Sequence, residues 1–490
     1  MSCSDFERTQ EAFMNDFKKQ RKQKRFDDIK HTLRQAESII EVVALSLIYY
    51  FVWKTMYDES GFYAYLGKGK YLLMTVYAII SFIIFNNCDS FKFGHMRLTD
   101  VLISQWISVI LVNVITYFQL CLMANYMIKP YPMFILTLLE AVAVLIFSSL
   151  YSFIYHRLYV PKSMAMVYGM EDAITLKFKM DTRADKYQIK KLISIDEGYE
   201  KICDTIVKYD AVVINDVSAV IRNDILKFCY KNGIRVYVTP KLTDIILRGA
   251  GDINLFDTPL LLVKGNGLTF AQRAVKRFFD VLLSLIAMII ASPIMLIVSL
   301  AIKLEDGGPV FYRQTRVTKN GKEFDILKFR SMVVDAEKNG EVIPAKGRDP
   351  RITKTGRIIR ATRIDELPQI INIIKGDMSI VGPRPERVEH VKKYIEEIPE
   401  FRYRQKVKGG LTGYAQIYGK YNTSAYDKLR LDLMYIENYS LILDIKLILM
   451  TLQIMLRPES TEGFDKAEEL KQKADDAISE IEASAPDDFK

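Results

Sequence analysis

The sequence predicts a membrane protein in three parts: a bundle of four transmembrane helices, a small α/β domain, and an α+β domain with one further membrane-associated helix. Three patterns support this architecture. Four apolar runs follow one another between residues 38 and 157. Short apolar strands alternate with helical patterns over 162–264. A last long apolar run, interrupted by a serine–proline pair, opens the segment 265–458.

A basic segment precedes the first apolar run. Part of the net charge of +9 lies there, in Lys18, Lys19, Arg21, Lys22, Lys24 and Arg25. Cations beside a membrane segment favour the cytoplasmic side, so residues 1–37 are predicted to be a cytoplasmic segment facing anionic lipid. A solvated tail is the alternative. No nucleic-acid partner is expected, because no aromatic platform or nucleic-acid-binding fold pattern accompanies the charge.

Four apolar runs make up the predicted membrane bundle. They cover residues 39–53, 71–85, 101–128 and 133–155. The last two are long enough to cross a hydrocarbon core, whereas the first two must borrow flanking apolar residues or be buried in a soluble domain. Four crossings return the chain to the cytoplasm near residue 157. Glu140 is costly in lipid, so we expect it to make a polar contact inside the bundle.

The middle segment has the pattern of a parallel sheet. Strands are predicted at 165–168, 188–195, 211–214 and 235–238, with helices near 199–208 and 219–230. A nucleotide site would need a G-x-G-x-x-G turn, and residues 167–171 lack those glycines. A packing, dimerisation or regulatory role is therefore predicted for this domain.

Two adjacent acids, Asp365 and Glu366, begin the most informative stretch of the sequence. Isoleucines at helical spacing follow them, Pro368 suits a first turn, and Gly376 suits a helix end. We therefore predict a helix that begins within a residue or two of Asp365. The acids would then lie where backbone N–H groups also bind phosphate. Taken alone, such a pair at a helix start is more often a helix cap and a first-turn charge.

Arginines surround the two acids. Arg360 and Arg363 precede them, and Arg384 follows within a stiff Gly-Pro-Arg-Pro turn. Arginines form paired hydrogen bonds with phosphate oxygens, and carboxylates can attack phosphorus or hold a metal. The pattern therefore points to phosphoryl chemistry.

The full string 360–386 resembles the signature of the bacterial sugar transferase family, the polyprenyl-phosphate hexose-1-phosphate transferases, and residues from about 272 to 458 fit that family. The resemblance is to the large form that uses galactose or glucose. It implies transfer of a hexose-1-phosphate from a UDP-hexose to undecaprenyl phosphate, with release of UMP, at the first membrane step of a surface polysaccharide such as exopolysaccharide, capsule or O antigen. N-acetylhexosamine donors are the alternative.

The resemblance also implies roles for the acids and cations. Asp365 would attack the sugar-side phosphorus and form a phosphosugar–aspartyl intermediate, and Glu366, with Asp365, would hold Mg²⁺. Lys328 and Arg330 are expected on one side of a strand, facing the same diphosphate. The full set of predicted substrate-binding cations is Arg316, Lys328, Arg330, Arg351, Arg360, Arg363 and Arg384.

The last apolar run, 281–302, contains Ser292 and Pro293. Its length allows a fifth crossing, but a crossing would place Asp365 outside, away from the cytosolic donor that the resemblance implies. Proline kinks a helix, and a serine can bond to the freed carbonyl. We therefore predict a re-entrant helix over 279–303, with the catalytic domain on the cytoplasmic face of the bacterial inner or plasma membrane.

Other parts of the chain carry weaker expectations. Large members of the family carry a Rossmann-like module where residues 162–264 stand, and a homodimer is plausible. Residues 459–490 form a charged tail. Two competing interpretations are a non-enzymatic membrane scaffold that binds a ligand and a phosphohydrolase that uses water as acceptor.

Overall fold

The computed structural model describes most of the chain in two compact units, Met1–Thr239 and Pro240–Lys490. The described residues are 32–57, 69–94, 96, 98–158, 161–169, 173–265, 267–334, 349–419 and 423–455. Residues 1–31 and the charged tail 459–490 lie outside them.

The first unit begins with four helices that are long and apolar enough to cross a membrane, as predicted. They are α1, Thr32–Met56; α2, Gly69–Asn87; α3, Leu98–Ala124; and α4, Tyr131–Leu158. The third helix ends before residue 128, where the apolar run ends, because Asn125 takes a positive φ of 60°. That conformation stops an α-helix.

Polar side chains hold the four helices together from inside. The carboxylate of Glu140 accepts hydrogen bonds from the Tyr77 hydroxyl at 2.5 Å and from the Asn113 amide at 2.8 Å. Glu41 accepts two from Gln105, at 2.9 and 3.0 Å. Both carboxylates are fully buried. The predicted polar contact of Glu140 within the bundle is therefore confirmed.

The first unit continues into an α/β region. Its elements are β1, Lys162–Tyr168; α5, Ala173–Asp181; β2, Tyr187–Ser194; α6, Tyr199–Ile206; β3, Ala211–Asn215; α7, Ala219–Lys231; and β4, Arg235–Val238. The four strands form a parallel sheet in the order β2-β1-β3-β4. Every residue of β3 is buried, as expected for a central strand covered on both faces. The predicted parallel sheet is confirmed.

The second unit opens with α8, Leu242–Arg248, an antiparallel hairpin of β5, Gly251–Leu255, and β6, Thr258–Leu262, and the long helix α9, Phe270–Asp306. A second antiparallel hairpin follows, formed by β7, Phe311–Val317, and β8, Glu323–Phe329. The remaining elements are α10, Lys354–Ala361; α11, Gln369–Lys375; β9, Ser379–Val381; α12, Val388–Glu397; β10, Gly410–Thr412; α13, Tyr414–Tyr418; α14, Ala425–Glu437; and α15, Leu441–Met455.

A core between α14, α15 and the 3-10 turn Pro399–Lys406 supports this unit, with Phe401, Leu429, Leu433 and Leu447 fully buried. The short strands β9 and β10 pair in parallel beside it. The loop that follows β9 therefore begins from a strand that is paired with β10 and packed beside the core.

Helix α9 runs unbroken through Ser292 and Pro293. Proline at 293 removes the amide donor that the carbonyl of Ile289 would otherwise receive. The Ser292 hydroxyl donates to that carbonyl at 2.8 Å. Helix α9 is also long and apolar enough to cross a membrane, so the re-entrant course predicted for 279–303 stays a prediction.

Candidate active site

Asp365 and Glu366 lie in a separate 3-10 turn, Ile364–Glu366. Helix α11 begins only at Gln369, after Pro368. The predicted helix start near Asp365 is therefore wrong. Pro368 has no N–H to donate, and the N–H groups of Leu367, Ile370 and Ile371 bond three residues back, so the 3-10 turn stays separate from α11. Arg363, whose φ is 55°, separates that turn from α10. The predicted helix end is confirmed, because Gly376 caps α11 with a φ of 97°.

Glu366 joins three elements through one oxygen atom. Its Oε1 accepts from the Lys328 ammonium at 2.7 Å and from Arg384 Nη2 at 2.8 Å. Lys328 comes from β8, and Arg384 comes from the loop after β9. The Glu366 side chain is 15% exposed and that of Arg384 is 39% exposed, so Arg384 can also reach a ligand.

The two cations fix the charge of Glu366. Burial acts to raise the pKa of Glu366, but Arg384 and Lys328 outweigh it and hold the pKa well below its usual range. Burial lowers the pKa of Lys328, and Glu366 offsets that effect only in part. Glu366 raises the pKa of Arg384. The group therefore holds an ionised Glu366 between two cations.

Asp365 has a different environment from its neighbour. Its carboxylate is half-buried and forms no hydrogen bond or ion pair with any residue that the structure describes. Burial raises the pKa of Asp365, and Lys328 counteracts that effect only partly. Two adjacent acids whose pKa values shift in opposite directions are suited to different tasks. Glu366 is held in place, whereas Asp365 is available to react.

The loop that carries Arg384 is fixed by its backbone. Gly382 N–H donates to the carbonyl of Thr412 at 2.8 Å, and Gly410 N–H donates to that of Pro383 at 2.9 Å. The carbonyl of Arg384 itself accepts from Arg404 Nη2 at 2.9 Å.

Arg404 in turn pairs with Asp432, at 2.8 Å, and both side chains are buried. Sequence reasoning missed this pair. Arg404 and Asp432 lie 28 positions apart, and no local spacing links them. Their role as support for Arg384 is visible only in the folded chain.

The structure separates two cations that were expected together. Strand β8 ends at Phe329, so Arg330 has left the strand, and its guanidinium pairs with Asp306 at the end of α9. Lys328 pairs with Glu366 instead. The expectation that Lys328 and Arg330 share one side of a strand is therefore wrong, because strand alternation stops one residue too early.

Arg316 lies beside the loop that carries Arg384. It donates to the carbonyl of Pro385 at 3.2 Å and to Gln314 at 2.5 Å. Burial and the nearby Arg384 lower the pKa of Arg316 to about 10. Arg316 thus supports the loop from the side of β7.

The remaining predicted cations differ in their distance from the acids. Arg360, near the end of α10, is close enough to act on the pKa of Asp365, which it lowers. Arg363 directly precedes the 3-10 turn and shapes it through its backbone. Arg351 forms a local pair with Asp349 at 2.6 Å. The structure thus brings Lys328, Arg384 and Arg360 towards the two acids, and it pairs Arg351 with Asp349.

The donor set at this site suits a cation that needs few protein ligands. Among the residues that the structure describes, no group of three or more His, Cys, Asp or Glu side chains is positioned to hold a metal. Mg²⁺ commonly binds through one or two carboxylates together with water and substrate phosphates. Asp365 and the second oxygen of Glu366 meet that requirement.

Part of the second unit matches a known family. The model of the family described as "Bacterial sugar transferase" matches residues 271–458. The chain is 43% identical over 185 residues to UDP-N-acetylgalactosamine-undecaprenyl-phosphate N-acetylgalactosaminephosphotransferase of Aeromonas hydrophila, which covers 37% of this chain and 44% of the relative. It is 41% identical over 210 residues to UDP-glucose:undecaprenyl-phosphate glucose-1-phosphate transferase of Escherichia coli K12, covering 42% of this chain and 43% of the relative.

A shorter relative is covered almost completely. The chain is 39% identical over 184 residues to an uncharacterized sugar transferase of Bacillus subtilis, which covers 38% of this chain and 88% of that protein. By contrast, the chain spans less than half the length of the Aeromonas and Escherichia relatives.

We predict that Lys328→Met lowers the free energy of unfolding by about 1–3 kcal/mol at pH 7, because one of the two cations on Glu366 is lost. A depressed pKa stabilises the fold fully above the ordinary glutamate value, about 4.3, and less as the pH falls towards the folded pKa. The difference between wild type and variant should therefore shrink in acid. Thermal and denaturant unfolding in detergent at several pH values would measure it.

Lys322→Met is the matched control, because Lys322 is 71% exposed and lies 3.7 Å from Asp377. Equal losses of stability in the two variants, or a difference that does not change with pH, would contradict the assignment.

Proposed function

The chain belongs to the bacterial sugar transferase family, and we propose that it transfers a hexose-1-phosphate from a UDP-sugar to undecaprenyl phosphate, releasing UMP. The observation that carries the proposal is the 3-10 turn, where an unpaired Asp365 stands beside a Glu366 that two cations hold in place. The names of the Aeromonas and Escherichia relatives support undecaprenyl phosphate as the acceptor.

In the first step, a carboxylate oxygen of Asp365 attacks the sugar-side phosphorus of the donor. A new P–O bond forms, and the bond from that phosphorus to the bridging oxygen breaks. UMP leaves with the bridging oxygen. Arg384 and Arg360, which lie near the acids, are suited to bind the phosphate oxygens as their charge is redistributed.

In the second step, a phosphate oxygen of the lipid attacks the same phosphorus, and the bond to Asp365 breaks. The carboxylate is regenerated, and no net proton is consumed. Two steps suit the charges, because direct attack of an anionic lipid on an anionic diphosphate is electrostatically disfavoured. A fixed carboxylate next to cations divides the reaction into two easier parts.

We propose that Asp365 and Glu366 hold Mg²⁺ together with the donor diphosphate. The ion would supply neutralisation of the diphosphate charge. Lys328 and Arg384 already offset the charge of Glu366, so the acids alone are a weak cation site. Metal binding should therefore depend on the donor.

The contacts of α9 support a re-entrant course, and the cytosolic location expected of a UDP-sugar donor is the reason to propose the cytoplasmic face. Near its start, Arg277 donates to the carbonyls of Ile373 and Ile374 at 2.6 and 2.7 Å. Near its end, Glu305 accepts from the N–H groups of Lys354 and Thr355. A crossing helix would carry its ends to opposite faces about 30 Å apart. Both ends of α9 bind the same unit, which favours entry and exit through one leaflet.

The identity of the sugar is a choice between two classes. Glucose and galactose are the proposed donors, and the glucose-1-phosphate transferase of Escherichia supports them. N-acetylhexosamine is the second candidate, which the Aeromonas relative favours.

We predict UMP release from one or more members of a UDP-sugar panel. Without undecaprenyl phosphate, each protein molecule should release UMP only once, and further turnover should require the lipid. The measurement uses the full chain in nanodiscs. Multiple turnovers without the lipid would indicate a phosphohydrolase. Absence of UMP from every donor would indicate a non-enzymatic scaffold.

Asp365→Asn should abolish transfer and leave no phosphosugar adduct, because an amide oxygen is a poor nucleophile for phosphorus. Intact-protein mass spectrometry after incubation with the donor detects the adduct, and UMP release measures transfer. Asp377→Asn is the control, since Asp377 is an acid of the same unit whose side chain lies 3.7 Å from the exposed Lys322. Near-normal turnover of Asp365→Asn, with deamidation excluded, would show that another residue attacks.

Glu366→Gln should lower the rate and raise the Mg²⁺ concentration needed for half-maximal activity. Wild-type protein should bind the ion weakly without donor and more tightly with it, because the carboxylate pair is already near cations. Titration of activity with Mg²⁺, and calorimetry with and without UDP-sugar, measure both effects. An unchanged metal titration would reject Glu366 as a ligand.

A further inference from the structure

The first turns of α9 carry three polar residues that all bind other parts of the second unit. Lys276 is 8% exposed and donates to the carboxylate of Asp444 on α15 at 2.6 Å. Flanking cations of this kind normally reach lipid headgroups. Here Lys276 is committed to an ion pair within the protein, so it does not serve as a lipid anchor.

Arg277 holds the helix that follows the two acids. Its two terminal nitrogens donate to the carbonyls of Ile373 and Ile374, at 2.6 and 2.7 Å. These carbonyls lie in the last turn of α11, which carries partial negative charge, and that of Ile373 also accepts from Gly376 N–H at 3.0 Å. A guanidinium that bridges two of them fixes both the position and the rotation of α11.

Asp280 holds the strand that leads to Arg384. One oxygen of Asp280 accepts from the Ser379 hydroxyl at 2.8 Å, and the other accepts from the N–H of Ile380 at 3.0 Å. Asp280 is 6% exposed and Ser379 is 1% exposed. Strand β9 runs from Ser379 to Val381 and passes directly into the loop of Arg384.

Arg277 and Asp280 stand three residues apart on α9, so they lie on one face of the helix. Arg277 binds α11, which follows Asp365 and Glu366, and Asp280 binds β9, which precedes Arg384. We propose that Arg277 and Asp280 are positioning residues, which use α9 as a common template to set the distance between the nucleophile's turn and the arginine loop. This inference rests on the proposed function. A misplacement of about 1 Å in such a site costs up to about 100-fold in rate.

The test separates geometry from folding in a single-turnover experiment. Full-length protein in nanodiscs is mixed with UDP-sugar and Mg²⁺ without lipid acceptor, and adduct formation is followed by mass spectrometry. The amplitude gives the fraction of competent protein, and the rate constant reports the geometry of the site. A wild-type protein without any adduct would overturn the proposed function itself, whereas the comparison of variants with a reactive wild type tests the positioning role.

We expect Asp280→Ala to lower the rate constant about 10- to 100-fold while the KM for donor changes less. Asp280→Asn should recover most of the rate, because its oxygen still accepts from Ile380 N–H and its amide can donate to the Ser379 hydroxyl. Ser379→Ala removes one hydrogen bond only and should have a smaller effect, which keeps the test valid if Asp280→Ala folds poorly.

Arg277→Ala should likewise lower the rate constant, and Arg277→Lys should recover it only in part, since an ammonium lacks the two-pronged geometry. Arg273→Ala is the matched control, because Arg273 is exposed on the same helix. Lower amplitudes with unchanged rate constants would overturn the proposal in favour of a purely structural role. Equal losses in Asp280→Asn and Asp280→Ala would also overturn it.

Discussion

The geometry of the candidate site depends on one oxygen atom, Oε1 of Glu366, which accepts hydrogen bonds from both Lys328 and Arg384. The contact ties a hairpin, a 3-10 turn and a loop that are far apart in the sequence. It also keeps Glu366 ionised, whereas the neighbouring Asp365 takes no part in the contact. Because a partly buried carboxylate must be compensated, the fold can keep Glu366 ionised only while all three elements stay in place.

Each partner in this contact is itself held by groups farther out. Arg404 and Asp432 hold the backbone of Arg384, and Arg316 supports the same loop from β7. Helix α9 binds α11, which follows the two acids, and β9, which precedes the loop of Arg384. Polar contacts of this kind are specific in direction, which apolar packing is not. The unit therefore uses its apolar core for stability and its buried polar contacts for geometry.

Much of this fold could be predicted because its signals are local. The apolar runs predicted four helices, the alternation of strands with helices predicted the parallel sheet, and Gly376 predicted a helix end. The start of α11 could not be predicted, because residue spacing does not show that the N–H groups on both sides of Pro368 bond three residues back rather than four. The partners of Arg330 and Arg404 depend on tertiary contacts, so residue spacing holds no record of them.

The shortness of α11 has a consequence for how this protein can vary. The helix has seven residues. The 3-10 turn with Asp365 and Glu366 precedes it, and Arg277 forms hydrogen bonds with carbonyls of its last turn. One inserted residue would rotate the far end by about 100° and advance it by about 1.5 Å. The carbonyls of Ile373 and Ile374 would then face away from the guanidinium. Within this segment, substitutions on the outer side are compatible with the architecture, but a change in the number of residues is not.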